Sequence, residues 1–251
     1  MRAIGVDFGG TGIKGAVVDL EDGSLAGSRH RIPTPQPSVP DDVAAVVAEV
    51  VAAAVGEIPC PGAVGIAVPG AVRAGHVMTA ANIDPSWVGC DGRTLLERSL
   101  GRETLLLNDA DAAGLAEMRF GAGRDRSGTT VVLTLGTGIG SALFAGNRLV
   151  PNSELGHLVM WGESAERTAS PKAREAMGLG WQEWVETSLN PYLSYVESLL
   201  WPDLIIVSGG ISTSPDKFFP YLQTRAEIVP AKLSNNAGIV GAALAAQEGF
   251  R

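Results

Sequence analysis

Residues 105–114, LLLNDADAAG, run three leucines straight into Asn108, Asp109 and, two places on, Asp111. An apolar run ending in an amide and two carboxylates has two readings. In one, Asn108 or Asp109 caps a following helix and the second acid favours the positive end of its dipole. In the other, a buried strand delivers a carboxylate to a place where chemistry happens. A hydroxyl that attacks phosphorus must lose its proton, and an aspartate within hydrogen-bond reach speeds that step by about 10²–10⁴-fold. Asp109 is the candidate base. Asn108 can serve a neighbouring hydroxyl as both donor and acceptor.

Three glycine turns, at 9–12, 136–140 and 208–210, each terminate an apolar strand, which is where α/β folds set their ligand crevice. GTGIKG (10–15) matches the dinucleotide fingerprint in form. That fingerprint needs a helix after the turn, whereas the AVVDL that follows is short and β-branched, so the pattern predicts strand–turn–strand. The chain holds no G-x-x-x-x-G-K-[ST] phosphate loop. Glycines let successive backbone N–H groups close on an anion. Thr11 adds a hydroxyl, Lys14 a charge, and Asp7 a carboxylate able to hold Mg²⁺ directly or through water. The plainer alternative is a hairpin whose glycines supply positive φ and whose lysine is solvated. Two such hairpins facing each other across a cleft, Gly9, Gly10 and Gly12 on one side and Gly136, Thr137 and Gly138 on the other, can grip a polyphosphate chain or nucleotide, with Gly209-Gly210 nearby. That arrangement suits phosphoryl transfer, in which positioning and charge neutralisation do most of the catalysis.

NSELGH (152–157) sets Glu154 and His157 three apart around Gly156. A carboxylate that accepts from vicinal hydroxyls and an imidazole that donates make a polyol-binding set; the alternative is a loop histidine bonded to backbone. Zinc would need more ligands, and LVMWGESAERTAS offers only carboxylates.

The elements that must position these groups follow from periodicity and punctuation. Strands are predicted at 2–8 and 15–20, then a turn and another extended piece, giving a β-meander. PTPQPSVP (33–40) is an extended connector. A helix over 41–55 starts with acids and stops at Gly56. A strand at 62–70, a helix at 91–101, a strand at 103–107 and a helix at 110–121 complete the first half. The second half predicts a strand at 129–135, a glycine turn, and a strand leading to a hairpin turn at Gly146-Asn147. A long helix over 181–200 is kinked or interrupted at Pro191, and a strand at 203–210 and a terminal helix at 238–250 follow. Gly10-Thr11-Gly12-Ile13 recurs 126 residues on as Gly136-Thr137-Gly138-Ile139, each copy between apolar strands. The repeat points to a duplicated lobe.

Composition bounds the partners. With 251 residues, 45% hydrophobic and 18% charged, the chain is a globular protein of one large or two modest domains. A net charge of −8 weighs against non-specific binding to nucleic acid or anionic membrane, so an anionic substrate must be held by local groups. Candidate cations are Lys14, Arg124, Arg126, Lys172 and Arg174, each more plainly read as a solvated surface charge. Cys60 and Cys90 fit no disulfide framework or metal spacing. With no leader pattern and no membrane-length apolar run, the expectation is a soluble cytoplasmic protein.

Taken together, DFGGTGIKG, LNDADAAG, LTLGTGIGSAL, ELGH and VSGG resemble the ROK sugar kinases, and TAANIDPSW, LVPNSELGH and NNAGIVGAALAA resemble their bacterial polyphosphate glucokinase branch. The resemblance covers essentially the whole chain. It implies an α/β, actin-like ATPase (ribonuclease H-like) duplicated two-lobe fold, with mixed sheets and flanking helices. The lobes would be 1–108, rejoined by the terminal helix 238–251, and 109–237, closing over the sugar. It implies phosphorylation of glucose at O6 from inorganic polyphosphate or ATP with Mg²⁺, and a homodimer. Asp109 would be the base, and Asn108, Glu154 and His157 would bind sugar hydroxyls, with Asn82 a weaker candidate. Asp7, Gly9, Gly10, Thr11, Gly12 and Lys14 would form the first phosphate loop and Gly136, Thr137 and Gly138 the second, with Gly209 and Gly210 toward the donor's far end. Most of the wider family carries a cysteine-rich zinc motif after the GH histidine, and this chain does not. His157 is therefore expected to serve the sugar with no zinc, LVMWG to hold its loop by packing around Trp161, and Glu166 in ERTAS to complete the sugar set. Two other readings are weighed against this one. ROK repressors carry an N-terminal helix-turn-helix, whereas this chain opens on a strand at Arg2; a nucleotide-dependent oxidoreductase would need the helix that GTGIKG lacks.

Overall fold

The structure is a computed structural model that describes residues 1–249; Phe250 and Arg251, over which the terminal helix is predicted to continue, lie outside the described residues. The chain divides into two compact units, Met1–Ala116 with Asn236–Arg251, and Glu117–Asn235.

The first unit contains β1 (Arg2–Gly9), β2 (Gly12–Asp19), β3 (His30–Ile32), α1 (Pro40–Glu57) and β4 (Val64–Val68). The small hairpin β5 (Val72–Arg73) and β6 (His76–Val77), then α2 (Gly92–Leu100), β7 (Thr104–Asn108) and α3 (Asp109–Phe120), whose last turn from Glu117 on belongs to the second unit, follow. Its five-stranded sheet runs β3-β2-β1-β4-β7, with β1, β4 and β7 parallel and β2 and β3 antiparallel. All five residues of β4 are buried, as expected for a strand covered on both faces. On one face Ile4, Val6 and Phe8 of β1 share a core with Val43, Val47, Val50 and Val51 of α1, whose spacing of three and four residues puts them on one helical stripe. On the other lies the C-terminal helix, Ala237–Glu248. Gly5 and Gly65 let it sit down on the strands, because a Cβ at either would collide with the carbonyls of Ile239 and Ala242. Gly241 makes the same close approach to Ala112 of α3.

The second unit repeats the plan. It contains β8 (Thr129–Leu135), β9 (Ile139–Ala145), β10 (Arg148–Val150), β11 (Val159–Met160), β12 (Glu163–Ser164), α4 (Glu166–Ala169) and α5 (Pro171–Met177). After these come α6 (Trp181–Trp184), α7 (Asn190–Leu200), β13 (Leu204–Ser208) and β14 (Glu227–Pro230). The sheet order is β10-β9-β8-β13-β14, with the same parallel and antiparallel pairings as the first. Both copies of the G-T-G-I repeat therefore occupy the turn between the first two strands of their sheets. This is the mixed-sheet, duplicated α/β architecture that the repeat predicts.

Three local expectations change. Helix α1 runs through Gly56 to Glu57, since a glycine weakens an exposed last turn without ending it. The long helix is interrupted before Pro191. Residues Val185–Leu189 form a π-turn, Asn190 N–H bonding Val185 O, and Pro191 then enters the first turn of α7, where its missing N–H does no harm. Trp161 does not pack its loop together. It sits at the tip of the β11–β12 hairpin with φ +54° and 64% of its surface exposed, because a two-residue turn projects its side chains outward. Ala165 N–H to Leu158 O closes that loop instead. Among the described residues, no helix is long and apolar enough to cross a membrane.

Candidate active site

In the first unit, β1, β4 and β7 end on the same edge of the sheet. Asp7 lies opposite Ala67, and Ala67 opposite Leu107. With strands about 4.8 Å apart, the end of β7 stands roughly 10 Å from the end of β1. Asn108 caps α3: its Oδ1 accepts the N–H groups of Ala110 (2.8 Å) and Asp111 (3.1 Å), while its Nδ2 donates to Gly70 O (3.2 Å). One amide hydrogen is left for a ligand. Asp109 follows, half-buried, with Oδ1 accepting Ala110 N–H at 2.8 Å. Capping thus belongs to this stretch, mainly through Asn108.

The first glycine turn is a two-residue link, Gly10-Thr11, between Gly9 and Gly12. Its carbonyls are tied down from outside: Thr34 Oγ1 donates to Gly9 O (2.6 Å), Gln36 Nε2 to Gly10 O (3.3 Å) and Arg31 Nη2 to Thr11 O (3.0 Å). With the carbonyls engaged, the N–H groups of Gly10 and Thr11 have no protein acceptor among the described residues, which is the polarity an anion needs. None of Gly10, Gly12, Gly136 and Gly138 has positive φ. Neighbours crowd Gly10, Gly12 and Gly138, whereas a Cβ at Gly136 would meet nothing within 4 Å. A Cβ at Gly10 would stand 2.8 Å from Asn82 O, and one at Gly12 2.7 Å from the Arg31 guanidinium. Asn82, at φ +61° and exposed, thus borders the first turn. Lys14 Nζ bonds Asp7 Oδ2 at 3.0 Å across the strand pair, so this lysine is not simply solvated.

In the second unit, Ile139 is the hub. Glu166 Oε2 accepts its N–H (3.2 Å) and lies where a Cβ of Gly138 would be, while its carbonyl lies where a Cβ of Gly156 would be. Gly156 therefore lets the single 3-10 turn Leu155–His157 rest on the start of β9. Ser141 Oγ, held by Ser153 O (2.7 Å), accepts Leu155 N–H (2.9 Å) and fixes the same turn. His157 lies between two carboxylates, with Nδ1 3.8 Å from Glu154 Oε2 and Nε2 3.8 Å from Glu166 Oε1. Burial pushes the Glu154 carboxyl above its ordinary range; the His157 ring opposes that rise and Glu166 adds to it. The structure thus gathers Glu154, His157 and Glu166 around the second glycine turn. Gly209, at φ +85°, abuts Leu135 at the base of that turn.

Of the candidate cations, Arg126 forms a two-bond pair with Glu227 (2.7 Å each) and Arg124 lies beside Asp125 (3.7 Å). Arg174 donates to Leu179 O and stacks 4.0 Å over Trp181. Lys172 is exposed, and its backbone N–H reaches Gly136 O at 3.3 Å. Thr34 and Gln36 escaped sequence reasoning because their proline-rich segment reads only as a connector, and Arg31 because it lies in a short extended piece that carries no motif. Burial holds both cysteine thiols above their ordinary range, so neither reads as a nucleophile. Among the described residues, no group of three or more His, Cys, Asp or Glu could hold a metal ion. Mg²⁺ needs less, since it takes one or two carboxylates together with substrate phosphates and water. Asp7 fits that role, because its Oδ1 stands outside the lysine bond.

Comparison with known proteins agrees with this geometry. The polyphosphate glucokinase of Mycobacterium tuberculosis is 46% identical over 245 residues, 97% of this chain and 91% of that protein. The inorganic polyphosphate/ATP-glucomannokinase of Arthrobacter sp. strain KM superposes with a TM-score of 0.93 at 51% identity, covering 98% of each chain. A ROK family glucokinase from Streptomyces griseus, solved with glucose and AMPPNP, superposes with a TM-score of 0.84 at 27% identity, covering 99% of this chain and 100% of that one. The ROK family model matches residues 3–174, and the chain belongs to the ROK family.

Proposed function

We propose that this protein transfers a phosphoryl group from inorganic polyphosphate, or from ATP, to the 6-hydroxyl of glucose. The observation that carries the reading is the double engagement of Glu166. Its carboxylate touches the second glycine turn and lies beside His157 of the polyol set, so one side chain couples a phosphate-holding element to a sugar-holding one. The names of the relatives of high identity support the same chemistry.

In this mechanism Glu154 and Glu166 accept from sugar hydroxyls and His157 donates, which fixes the ring and aims the 6-hydroxyl. Asn108 offers its remaining amide hydrogen to a neighbouring hydroxyl. Asp109 takes the proton of the attacking oxygen as the bond to phosphorus forms and the donor's bridging oxygen leaves. The unbonded N–H groups of Gly10 and Thr11, and those of Thr137 and Gly138, hold phosphoryl oxygens, and Gly210, open beside the Gly209 that packs on Leu135, leaves room for the rest of the donor. Mg²⁺, when bound with the donor, would be held by Asp7 together with phosphate oxygens and water, and would neutralise charge on the transferring group. The same reading has the enzyme acting in the cytoplasm as a homodimer.

The test is glucose 6-phosphate formation, coupled to its dehydrogenase, with long-chain polyphosphate or ATP at equal Mg²⁺. Product with at least one donor is expected; none with either contradicts the reading.

A further inference from the structure

The first glycine turn is flanked by a cation that the chemistry above does not use. Arg31 lies on β3, opposite Lys14, which lies opposite Asp7. Residues directly opposed on neighbouring strands project from the same face of a sheet, so the three form one row across β1, β2 and β3. The row holds one negative charge and two positive ones. Asp7 and Lys14 cancel through their 3.0 Å bond, and the Arg31 charge remains. No carboxylate lies within ion-pair distance of Arg31 among the described residues; its one protein hydrogen bond goes from Nη2 to Thr11 O at 3.0 Å. The guanidinium presses so close to the turn that a Cβ on Gly12 would stand 2.7 Å from its Nε and Nη2. Most of its five N–H donors are therefore left over, on an exposed side chain, beside the unbonded N–H groups of Gly10 and Thr11.

Two residues back, Arg29 repeats the condition. Its Nη1 donates to Asn236 Oδ1 at 3.2 Å, just ahead of the C-terminal helix, and it too is exposed, with no carboxylate partner among the described residues. In a protein of net charge −8, two adjacent uncompensated guanidinium groups leading away from an anion-binding turn make a short basic track. Guanidinium groups match phosphate oxygens in a planar fork.

We infer that Arg31, with Arg29 behind it, binds phosphate units of an extended polyphosphate donor beyond those that the first glycine turn holds. A donor with only a few phosphates reaches Arg31 at most, whereas a long chain covers both. This deepens the phosphotransferase reading and rests on it for the identity of the donor.

The test is direct binding by titration calorimetry, independent of turnover. It compares long-chain sodium polyphosphate, tripolyphosphate and ATP on the full-length protein, R31Q and R29Q/R31Q, at several salt concentrations. Glutamine keeps a donor for Thr11 O, and R31K keeps the charge without the fork. Long-chain binding is expected to weaken about tenfold in R31Q and roughly a hundredfold in the double variant, at one charge-assisted bond per guanidinium. The slope of log affinity against log salt should fall by about one for each cation removed, with unchanged thermal melting and unchanged glucose affinity. The preference for long chains over tripolyphosphate should shrink in parallel. Equal losses for all three ligands with an unchanged salt slope would mean that Arg31 only clamps the turn, and would overturn the inference. So would unchanged binding in the double variant, or no polyphosphate binding by the unmodified protein. If the unmodified protein binds polyphosphate on this track yet phosphorylates no hexose, the kinase reading fails and the track stands.

Discussion

Replacing Gly156 by alanine perturbs the proposed sugar-binding residues without touching a polar group. The added carbon would overlap the Ile139 carbonyl oxygen and stand 3.0 Å from Ile139 Cβ and 3.1 Å from its carbonyl carbon. Ordinary carbon contacts are about 3.5–4.0 Å and the carbonyl oxygen is nearer still, so the turn Leu155–His157 must lift by about 1 Å. The strand beneath cannot yield, because the Ile139 N–H is held by Glu166 and the residue is part of the β8–β9 ladder. The displacement therefore falls on His157 and Glu154. A misplacement of about 1 Å can lower a rate a hundredfold; here we expect the glucose KM to rise by about 10–100-fold, with the donor KM changed little. Gly136→Ala is the matched control. A Cβ there meets nothing within 4 Å, so melting should not change, and any kinetic effect should fall on the donor KM, where the new methyl would crowd an approaching phosphate. The coupled glucose 6-phosphate assay, run at varied glucose and then at varied donor, separates the two. A folded Gly156→Ala protein with an unchanged glucose KM would refute the idea that this close approach sets the position of His157.

Glu154 supplies a pH prediction: burial raises its pKa, and only the ionised carboxylate accepts from both sugar hydroxyls. Glucose affinity should fall as pH is lowered, starting at a higher pH than an ordinary glutamate would give, and Glu154→Gln should abolish that dependence in a titration of binding. Gly65→Ala would drive a methyl into the Ala242 carbonyl beneath the C-terminal helix. It should destabilise by about 3 kcal/mol and lower Tm by roughly 6–12 °C; a calorimetric scan within 2 °C or so of the parent's Tm would contradict the packing account. Glu166→Gln keeps an acceptor for Ile139 N–H but loses its charge, so glucose and donor KM should both rise in steady-state assays, whereas a purely structural residue would move Tm first.

Much of the fold could be read from the sequence because its signals were local. The β-branched AVVDL after GTGIKG declared a strand, and β2 is one. The repeated G-T-G-I declared a duplication, and two sheets of one strand order contain it. The purpose of the glycines was not legible. Positive φ and close approach leave the same residue in the sequence, and here the neighbours that demand glycine, Asn82, Arg31, Glu166 and Ile139, come from distant segments. The tie between Glu166 and Ile139 was hidden for the same reason, as was the clamp of Thr34, Gln36 and Arg31 on the first turn. Proline spacing gave the connector its extended form but said nothing of what its polar side chains reach. Trp161 misled because an aromatic residue in an apolar stretch suggests burial, whereas a two-residue hairpin tip exposes whatever it carries.

The most direct test of the mechanism is Asp109→Asn. Asparagine keeps an oxygen for the Ala110 N–H, so α3 and glucose binding should be preserved by calorimetry, while kcat falls by at least about a hundredfold with either donor. Turnover near that of the unmodified protein, with glucose binding intact, would show that Asp109 is not the base.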